Sequence, residues 1–214
     1  MADCLVNPLL SIRVTGPLPS LHGIAGLIFT SSNAIDAFRR LGGQPSDIST
    51  IAVGEGTASA VRAFGFRVAT AGGTADAVVK HVLSQRYGGP LLHLRGETAI
   101  GDIAQRLTAE GVPTREAVLY DQVLQPLSKA TREALSQDRP IVAPVFSPRT
   151  AMQLVRESKD LRNMRFAAIS PAVAEVLGEG RARTVEVADT PNRQAMLDLV
   201  ANMVSRAGEP ARRF

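Results

Sequence analysis

Small polar residues stand repeatedly where apolar runs end in this chain. Thr30, Ser31 and Ser32 close LIF (27–29), and Gly54, Glu55, Gly56 and Thr57 close IAV (51–53). Ser147, Pro148 and Arg149 close APVF (143–146), and Ser170 and Pro171 close AAI (167–169). Each group then opens an amphipathic stretch, the pattern of a strand feeding a helix through a tight turn. Backbone N–H groups in the first turn of a helix lack intrahelical partners and attract anions. Four such turns predict an anionic ligand large enough to touch both halves of the chain. Arg95 and Gly96 end a further run, LLHL (91–94). Arg95 and Arg149 thus adjoin strand ends, where α/β folds bind ligands and where guanidinium suits carboxylate. The plain structural alternative is that the hydroxyls are helix caps and the arginines solvated surface charge.

Other chemistries find little support. His22, His81 and His93 are scattered, without metal-ligand spacing. His81 follows Lys80 on a helix, at an expected exposed position, and His93 falls within a strand as a satisfied, partly buried residue. No Ser-His-Asp order or Cys-His pair emerges. Gly72-Gly73 and Gly88-Gly89 are loop glycines and make no phosphate-binding fingerprint. The single cysteine, Cys4, excludes an internal disulfide, fits a reducing cytosol and reads as a small hydrophobe of an apolar strand.

The elements that must carry these turns alternate between strand and helix, which predicts an α/β fold with mainly parallel sheets and flanking helices. Strands are expected at 4–10, 26–30, 50–53, 66–70, 91–94, 115–120, 141–146, 166–169 and 183–187. In the helix 74–83, Ala75, Val78, Val79 and Val82 form the apolar stripe, with Thr74 as N-cap. In 98–110 the stripe is Ile100, Ile103, Ala104 and Leu107, with Gly111 as the stop. In 192–205 it is Met196, Leu197, Val200, Met203 and Val204.

The two pairs of turns are one pattern written twice. Gly54 lies 23 positions after Ser31, and Ser170 lies 23 positions after Ser147. The repeat predicts two similar domains, with residues 27–83 matching 143–204. After its third helix the first copy adds LLHLRG (91–96), a helix and EAVLYDQV (116–123). The second copy's counterpart for that last strand is DCLVNPLL (3–10). Residues 1–11 with 124–214 are therefore expected to form domain one, and residues 12–123 domain two. The chain would cross near 9–13 and again near 119–124. Domain one is expected to lack its leading strand and helix, leaving apolar surface near residues 3–10.

Composition narrows the setting. The chain has 214 residues, enough for two small domains, and is 45% hydrophobic and 21% charged with formal net charge +4. With aromatics at 4%, no Trp and no dense basic block, base-stacking platforms are hard to build, so nucleic acid is not expected. No apolar run approaches the roughly 18 residues of a membrane span, and Asp3 stands where a signal peptide would be basic.

At this point the sequence resembles the uroporphyrinogen-III synthase family. The likeness rests on IFTSSNAI (28–35), VGEGTA (53–58), GGTADAV (72–78), HLRG (93–96), VLYDQ (118–122), FSPRTA (146–151), AISPAVAEVL (168–177) and TPNRQAML (190–197). It spans nearly the whole chain, and the order and spacing of the motifs carry it more than any one of them. The resemblance implies two α/β domains joined by a two-stranded linker, with the active site in the cleft. It implies conversion of hydroxymethylbilane to uroporphyrinogen III, with loss of water and inversion of ring D, and no cofactor or metal. It places Tyr120, in VLYDQ, where the family has its candidate for helping the hydroxyl leave. A phenol can donate a hydrogen bond to departing oxygen and stay neutral near pH 7. The structural alternative is a tyrosine packing a linker strand. The chain departs from the family in two places. The family's N-terminal strand and helix, with a Thr-Arg-Pro-like turn, are expected to be missing, and a turn that often carries threonines reads Ser170-Pro171-Ala172-Val173.

The expected protein is thus a cytoplasmic, cofactor-independent lyase of tetrapyrrole biosynthesis. Its substrate has eight carboxylates, and its catalytic work is mainly orientation. The resemblance allows the upstream deaminase as a transient partner, and a monomer is expected unless the short edge of domain one self-associates. The main rival is a non-catalytic tetrapyrrole-binding or regulatory paralogue on the same fold. A nucleotide-binding α/β protein ranks third for want of a glycine-rich phosphate loop.

Overall fold

A computed structural model of the protein describes residues 3–137, 139–158, 161–179, 182 and 184–207. The chain divides into two compact units, one drawn from Met1–Ser11 and Leu124–Phe214, the other from Ile12–Val123. One boundary falls inside the first strand, β1 (Leu10–Val14), and the other at the end of the sixth, β6 (Thr114–Leu124).

The unit 12–123 is built on strands β2 (Gly26–Phe29), β3 (Ser49–Ala52), β4 (Val68–Thr70) and β5 (Leu91–Gly96), together with β1 and β6. Its helices are α1 (Ser32–Arg40), α2 (Glu55–Phe64), α3 (Ala75–Leu83) and α4 (Ile103–Ala109). The six strands lie in the order β1-β6-β5-β2-β3-β4. The pairings β2–β3, β2–β5, β3–β4 and β5–β6 are parallel. The β1–β6 ladder is antiparallel: Gln125 N–H bonds to Leu9 C=O and Thr15 N–H to Leu119 C=O, both at 2.9 Å.

Helices cover both faces, which is why every residue of β2 is buried. Alternation divides β2 and β5 between two cores. Leu27, Phe29, Leu92 and Leu94 pack with Phe38 of α1 and Val61 of α2. Ile28 and Leu91 pack with Val78 and Val82 of α3 and with Ile103 and Leu107 of α4. Thr74 caps α3 by accepting from Ala77 N–H at 3.1 Å, as the sequence stripe predicts.

The other unit holds α5 (Lys129–Leu135), β7 (Ile141–Val145), α6 (Pro148–Glu157), β8 (Met164–Ala168), α7 (Pro171–Glu179), β9 (Thr184–Val187) and α8 (Arg193–Ala207). Among the described residues its sheet has three parallel strands, in the order β7-β8-β9. The strand–helix series β7 to α8 repeats β2 to α3 in order. Backbone bonds repeat with it. Val53 N–H to Phe29 C=O (3.0 Å) is matched by Ile169 N–H to Val145 C=O (3.1 Å). Ala71 N–H to Ala52 C=O is matched by Ala188 N–H to Ala168 C=O, both 2.9 Å.

Several local expectations need correction. Residues 3–8 form no strand, and Cys4, Leu5 and Val6 are exposed. Pro8 has no N–H to give to a ladder, and pairing with β6 begins only at Leu9. The upstream Asn7 instead uses its side chain, accepting from Ser128 N–H and Thr131 Oγ1, both at 2.7 Å. The helix expected from 98 begins at Ile103, and Ile100 is 88% exposed. Gly101 (φ +92°) and Asp102 (φ +44°) turn the chain through the left-handed region just before it. On α8 the buried stripe passes through Met196, Leu199, Val200 and Met203, the helical i, i+3, i+4, i+7 series, so Leu197 points outward and Val204 is only half-buried. His81 is half-buried rather than exposed. No described helix is long and apolar enough to cross a membrane.

Candidate active site

The expected site residues of the unit 12–123 gather at the carboxyl ends of four neighbouring parallel strands, β3, β2, β5 and β6. Ser31 is the N-cap of α1, in extended backbone (φ −153°, ψ 144°), and its hydroxyl accepts from Asn33 N–H at 3.1 Å. Ser32, the first helical residue, is exposed. Gly54 caps α2 through its backbone alone and comes close to Gly73, whose Cα lies 3.4 Å from where a Gly54 Cβ would sit. Gly56 faces open space. Thr57, in the first turn of α2, is largely buried. The Glu55 carboxylate is tied to its surroundings by Arg62 (3.2 Å), Thr70 (3.2 Å) and Ser59 (3.3 Å). The hydrogen bond from Arg62, then that from Thr70, holds its pKa below the usual range. What these two turns offer an anion is therefore mainly backbone N–H.

At the end of β5, Arg95 belongs to a polar network that is buried at His93 and open to solvent at Glu116. Arg95 directs Nη2 to Glu116 Oε2 and Nε to Oε1, both at 2.9 Å. Its Nη1 donates to the carbonyls of Gly96 (2.8 Å) and Glu97 (2.9 Å). His93 is buried, with Nε2 3.0 Å from Thr30 Oγ1 and Nδ1 3.5 Å from Glu116 Oε1. Burial pushes the His93 pKa down to about 4, against the pull of Glu116 and with help from the Arg95 charge. Burial alone would raise the Glu116 pKa, but the hydrogen bond and charge of Arg95 outweigh it and hold the carboxyl below its ordinary value. Thr30, His93 and Glu116 thus stand in the order of a nucleophile, base and acid. An imidazole at about 4 beside a carboxylate already bound by Arg95 is too weakly basic to take a threonine proton near pH 7. The line can orient the hydroxyl but does not activate it.

Beside this network lies a cavity of about 200 Å³, lined by His93, Arg95, Glu97, Asp102, Gln105 and Glu116 among others. Among the described residues, no group of three or more His, Cys, Asp or Glu is placed to hold a metal ion.

Tyr120 is aimed by a break in the β5–β6 register. Arg95 pairs with Val118 but Gly96 pairs with Tyr120, so Leu119 is an extra residue on β6. A bulge of this kind re-aims the next side chain, and here both Leu119 and Tyr120 enter the core that faces α1 and α2. The Tyr120 ring is 4% exposed and lies over Gly96. Its hydroxyl makes no hydrogen bond among the described residues.

In the other unit, Ser147 caps α6 as Ser31 caps α1, with φ −157° and ψ 151°. Its hydroxyl accepts from Thr150 N–H at 3.1 Å and meets Thr150 Oγ1 at 2.8 Å. Pro148 opens the helix and Arg149 follows, half-buried. Ser170 precedes α7, whose first residue is Pro171, and its carbonyl accepts from Ala174 N–H at 3.1 Å, as Gly54 does from Ala58 N–H at 2.9 Å.

Within the unit 12–123 the structure thus joins Thr30 to Arg95 through His93 and Glu116, and Gly96 to Tyr120, while Glu55 turns to its own helix. Sequence reasoning missed His93 and Glu116. The available signal was period two: His93 and Arg95 share one face of β5. Their partner on β6 becomes visible only once the parallel register is known.

A family model described as Uroporphyrinogen-III synthase HemD matches residues 2–198. The fold resembles the crystal structure of uroporphyrinogen-III synthetase from Helicobacter pylori 26695, with TM-score 0.68 and 20% identity over 91% of each chain. It also resembles a mutant uroporphyrinogen III synthase from the extremely thermophilic bacterium Thermus thermophilus, with TM-score 0.52 and 15% identity over 93% of this chain and 88% of that one. No curated protein matches the chain.

Proposed function

Because the chain belongs to the uroporphyrinogen-III synthase family, a family of lyases in heme biosynthesis, we propose that it cyclises hydroxymethylbilane to uroporphyrinogen III with inversion of ring D. The observation that carries the reading is Tyr120. Its ring is clamped over Gly96 at the carboxyl edge of a parallel sheet, and its hydroxyl has no hydrogen-bond partner among the described residues. Two helix N-termini open from the same edge of that unit.

In the proposed reaction the hydroxymethyl carbon–oxygen bond breaks. Oxygen keeps the bonding pair and takes up a solvent proton to leave as water, while the pyrrole nitrogen lone pair stabilises the azafulvenium that remains. Tyr120 donates a hydrogen bond to the departing oxygen. Ring D then attacks through its substituted carbon, giving a spiro intermediate. Rearrangement and loss of a proton close the macrocycle. No electrons are exchanged with an outside acceptor, so the reaction calls for no redox cofactor. Backbone amides at Ser31–Ser32 and Glu55–Gly56, and those opening α6 and α7, take substrate carboxylates, with Arg149 adding charge. Holding ring D inverted is a matter of orientation, which can supply several kcal/mol without a strong acid or base.

The test is to mix purified protein with freshly generated hydroxymethylbilane, oxidise the products and resolve the isomers. Type III in excess of the spontaneous type I is the expected outcome. Type I alone overturns the synthase reading and leaves a tetrapyrrole-binding role.

A further inference from the structure

We infer that Glu116 and His93 lock the Thr30 hydroxyl as a hydrogen-bond acceptor toward ligand, so that Thr30 selects a pyrrole N–H of the bound tetrapyrrole and not a carboxylate. The inference rests on the synthase reading for the identity of the ligand. Its first half, the direction of the hydrogen bond, rests on geometry and on the neutral state that burial imposes on His93.

His93 Nδ1 is buried and makes no hydrogen bond of good geometry among the described residues, and Glu116 Oε1 stands 3.5 Å from it. Arg95 reaches both carboxylate oxygens at 2.9 Å and keeps Glu116 ionised in place. A neutral imidazole carries one N–H and one lone pair. With its lone pair on the buried Nδ1, the ring would set it against an oxygen of the ionised Glu116 carboxylate, which repels it. With the proton on Nδ1, that oxygen becomes its partner. Nε2 is then the acceptor, and the 3.0 Å contact to Thr30 Oγ1 has the threonine donating. A hydroxyl has one proton to give. Once it is committed to His93, only lone pairs remain on Oγ1. They repel carboxylates and accept from N–H groups.

This separates two kinds of recognition at one strand edge. Backbone amides of the neighbouring turns suit the substrate's acidic side chains, while Thr30, next to the α1 N-cap, reads the ring nitrogens. The groups facing His93 are Thr30 from β2, Arg95 from its own strand and Glu116 from β6, with Glu97 and Asp102 on the adjoining cavity. None of them competes for Nε2.

The tautomer is tested first, on the full-length protein with 15N-labelled histidine. Ring nitrogen shifts distinguish protonated from bare nitrogen, and loss of signals in His93→Gln assigns the residue. A protonated Nδ1 and a bare Nε2 near pH 7, with the population redistributed in Glu116→Gln, are expected. A protonated Nε2 in the parent overturns the inference outright. Ligand recognition is tested by turnover of hydroxymethylbilane. Thr30→Val should raise KM about three- to tenfold and lower the type III share, at every salt concentration alike. Thr30→Ser should recover most of the loss, and His93→Phe added to Thr30→Val should cost little more. A Thr30→Val penalty that fades as salt rises marks a carboxylate contact and overturns the ligand assignment, as does unchanged KM and isomer ratio. If the parent forms only type I, the synthase reading falls and takes the pyrrole assignment with it. The tautomer result still decides the direction of the hydrogen bond.

Discussion

The Tyr120 ring occupies the space that a side chain at Gly96 would need. A Cβ on Gly96 would lie 2.6 Å from Tyr120 Cζ and 3.0 Å from its hydroxyl oxygen. Gly96→Ala should therefore displace the ring and cost about 1–3 kcal/mol by overpacking. It should lower the melting temperature and slow type III formation together. Tyr120→Phe should keep the packing and the melting temperature but reduce kcat about tenfold or more, with KM little changed. A fall in kcat for Gly96→Ala with unchanged near-ultraviolet tyrosine signals would argue against the steric account.

Protonation of His93 sets a pH dependence of stability. Its folded-state pKa of about 4 lies below the ordinary 6.5, so the folded protein holds fewer protons than the unfolded chain between those values. Stability is fully present above about pH 6.5 and falls as pH drops toward 4, by roughly 3 kcal/mol over the window. Glu116, whose pKa is also lowered, adds a loss of the same sign at more acidic pH. His93→Phe should flatten thermal stability between pH 6.5 and 5, measured by melting in matched buffers. An undiminished slope in that variant would place the pH dependence elsewhere.

Arg95 and Arg149 can be tested separately. Arg95 is bound to Glu116 and to two backbone carbonyls and is only 19% exposed at its side chain. Arg95→Gln should destabilise the fold by about 1–3 kcal/mol, because it leaves Glu116 without its partner. Its binding defect should not depend on salt. Arg149→Gln, at the start of α6, should raise KM with an effect that shrinks as ionic strength increases, as a contact to substrate carboxylate would. Melting curves and KM at low and high salt separate the two.

The repeated caps should prove equivalent. Ser31→Ala and Ser147→Ala should each cost about 1 kcal/mol in denaturant unfolding, and the glycine variants only a few tenths. Substrate KM should change less than stability in the glycine variants, since the amides offered to anions remain. A large KM effect of Ser31→Gly would show that the hydroxyl itself meets the substrate.

Much of this architecture is legible in the sequence because it is local. Ser31 and Ser147 announce helix starts through their own side chains, and Pro148 fits the first helical position whatever lies around it. The 23-residue spacing of the turns reflects one strand–helix unit of fixed length, so the repeat can be read without coordinates. Apolar spacing placed Val78 and Val82 correctly. It could not place Ile100, since a left-handed turn at Gly101 and Asp102 decides where α4 begins, or Leu197, since facing residues decide which side of a helix is buried.

The polar network had to wait for tertiary structure. Thr30 and His93 are 63 positions apart, and Arg95 and Glu116 are 21 apart. Nothing in either segment specifies the pairing. The parallel register of β5 and β6 sets His93 opposite Glu116 and Arg95 opposite Val118, and the bulge that follows carries Tyr120 onto Gly96. The family likeness supplied Tyr120 as a candidate, yet its packing against Gly96 comes with that one-residue slip. Cap and turn chemistry lies within a few residues, so the sequence alone determined the strand-to-helix turns and their anion-attracting amides. Which side chains share a proton, and what holds the Arg95 guanidinium, depends on register between distant strands, and only the folded sheet decided it.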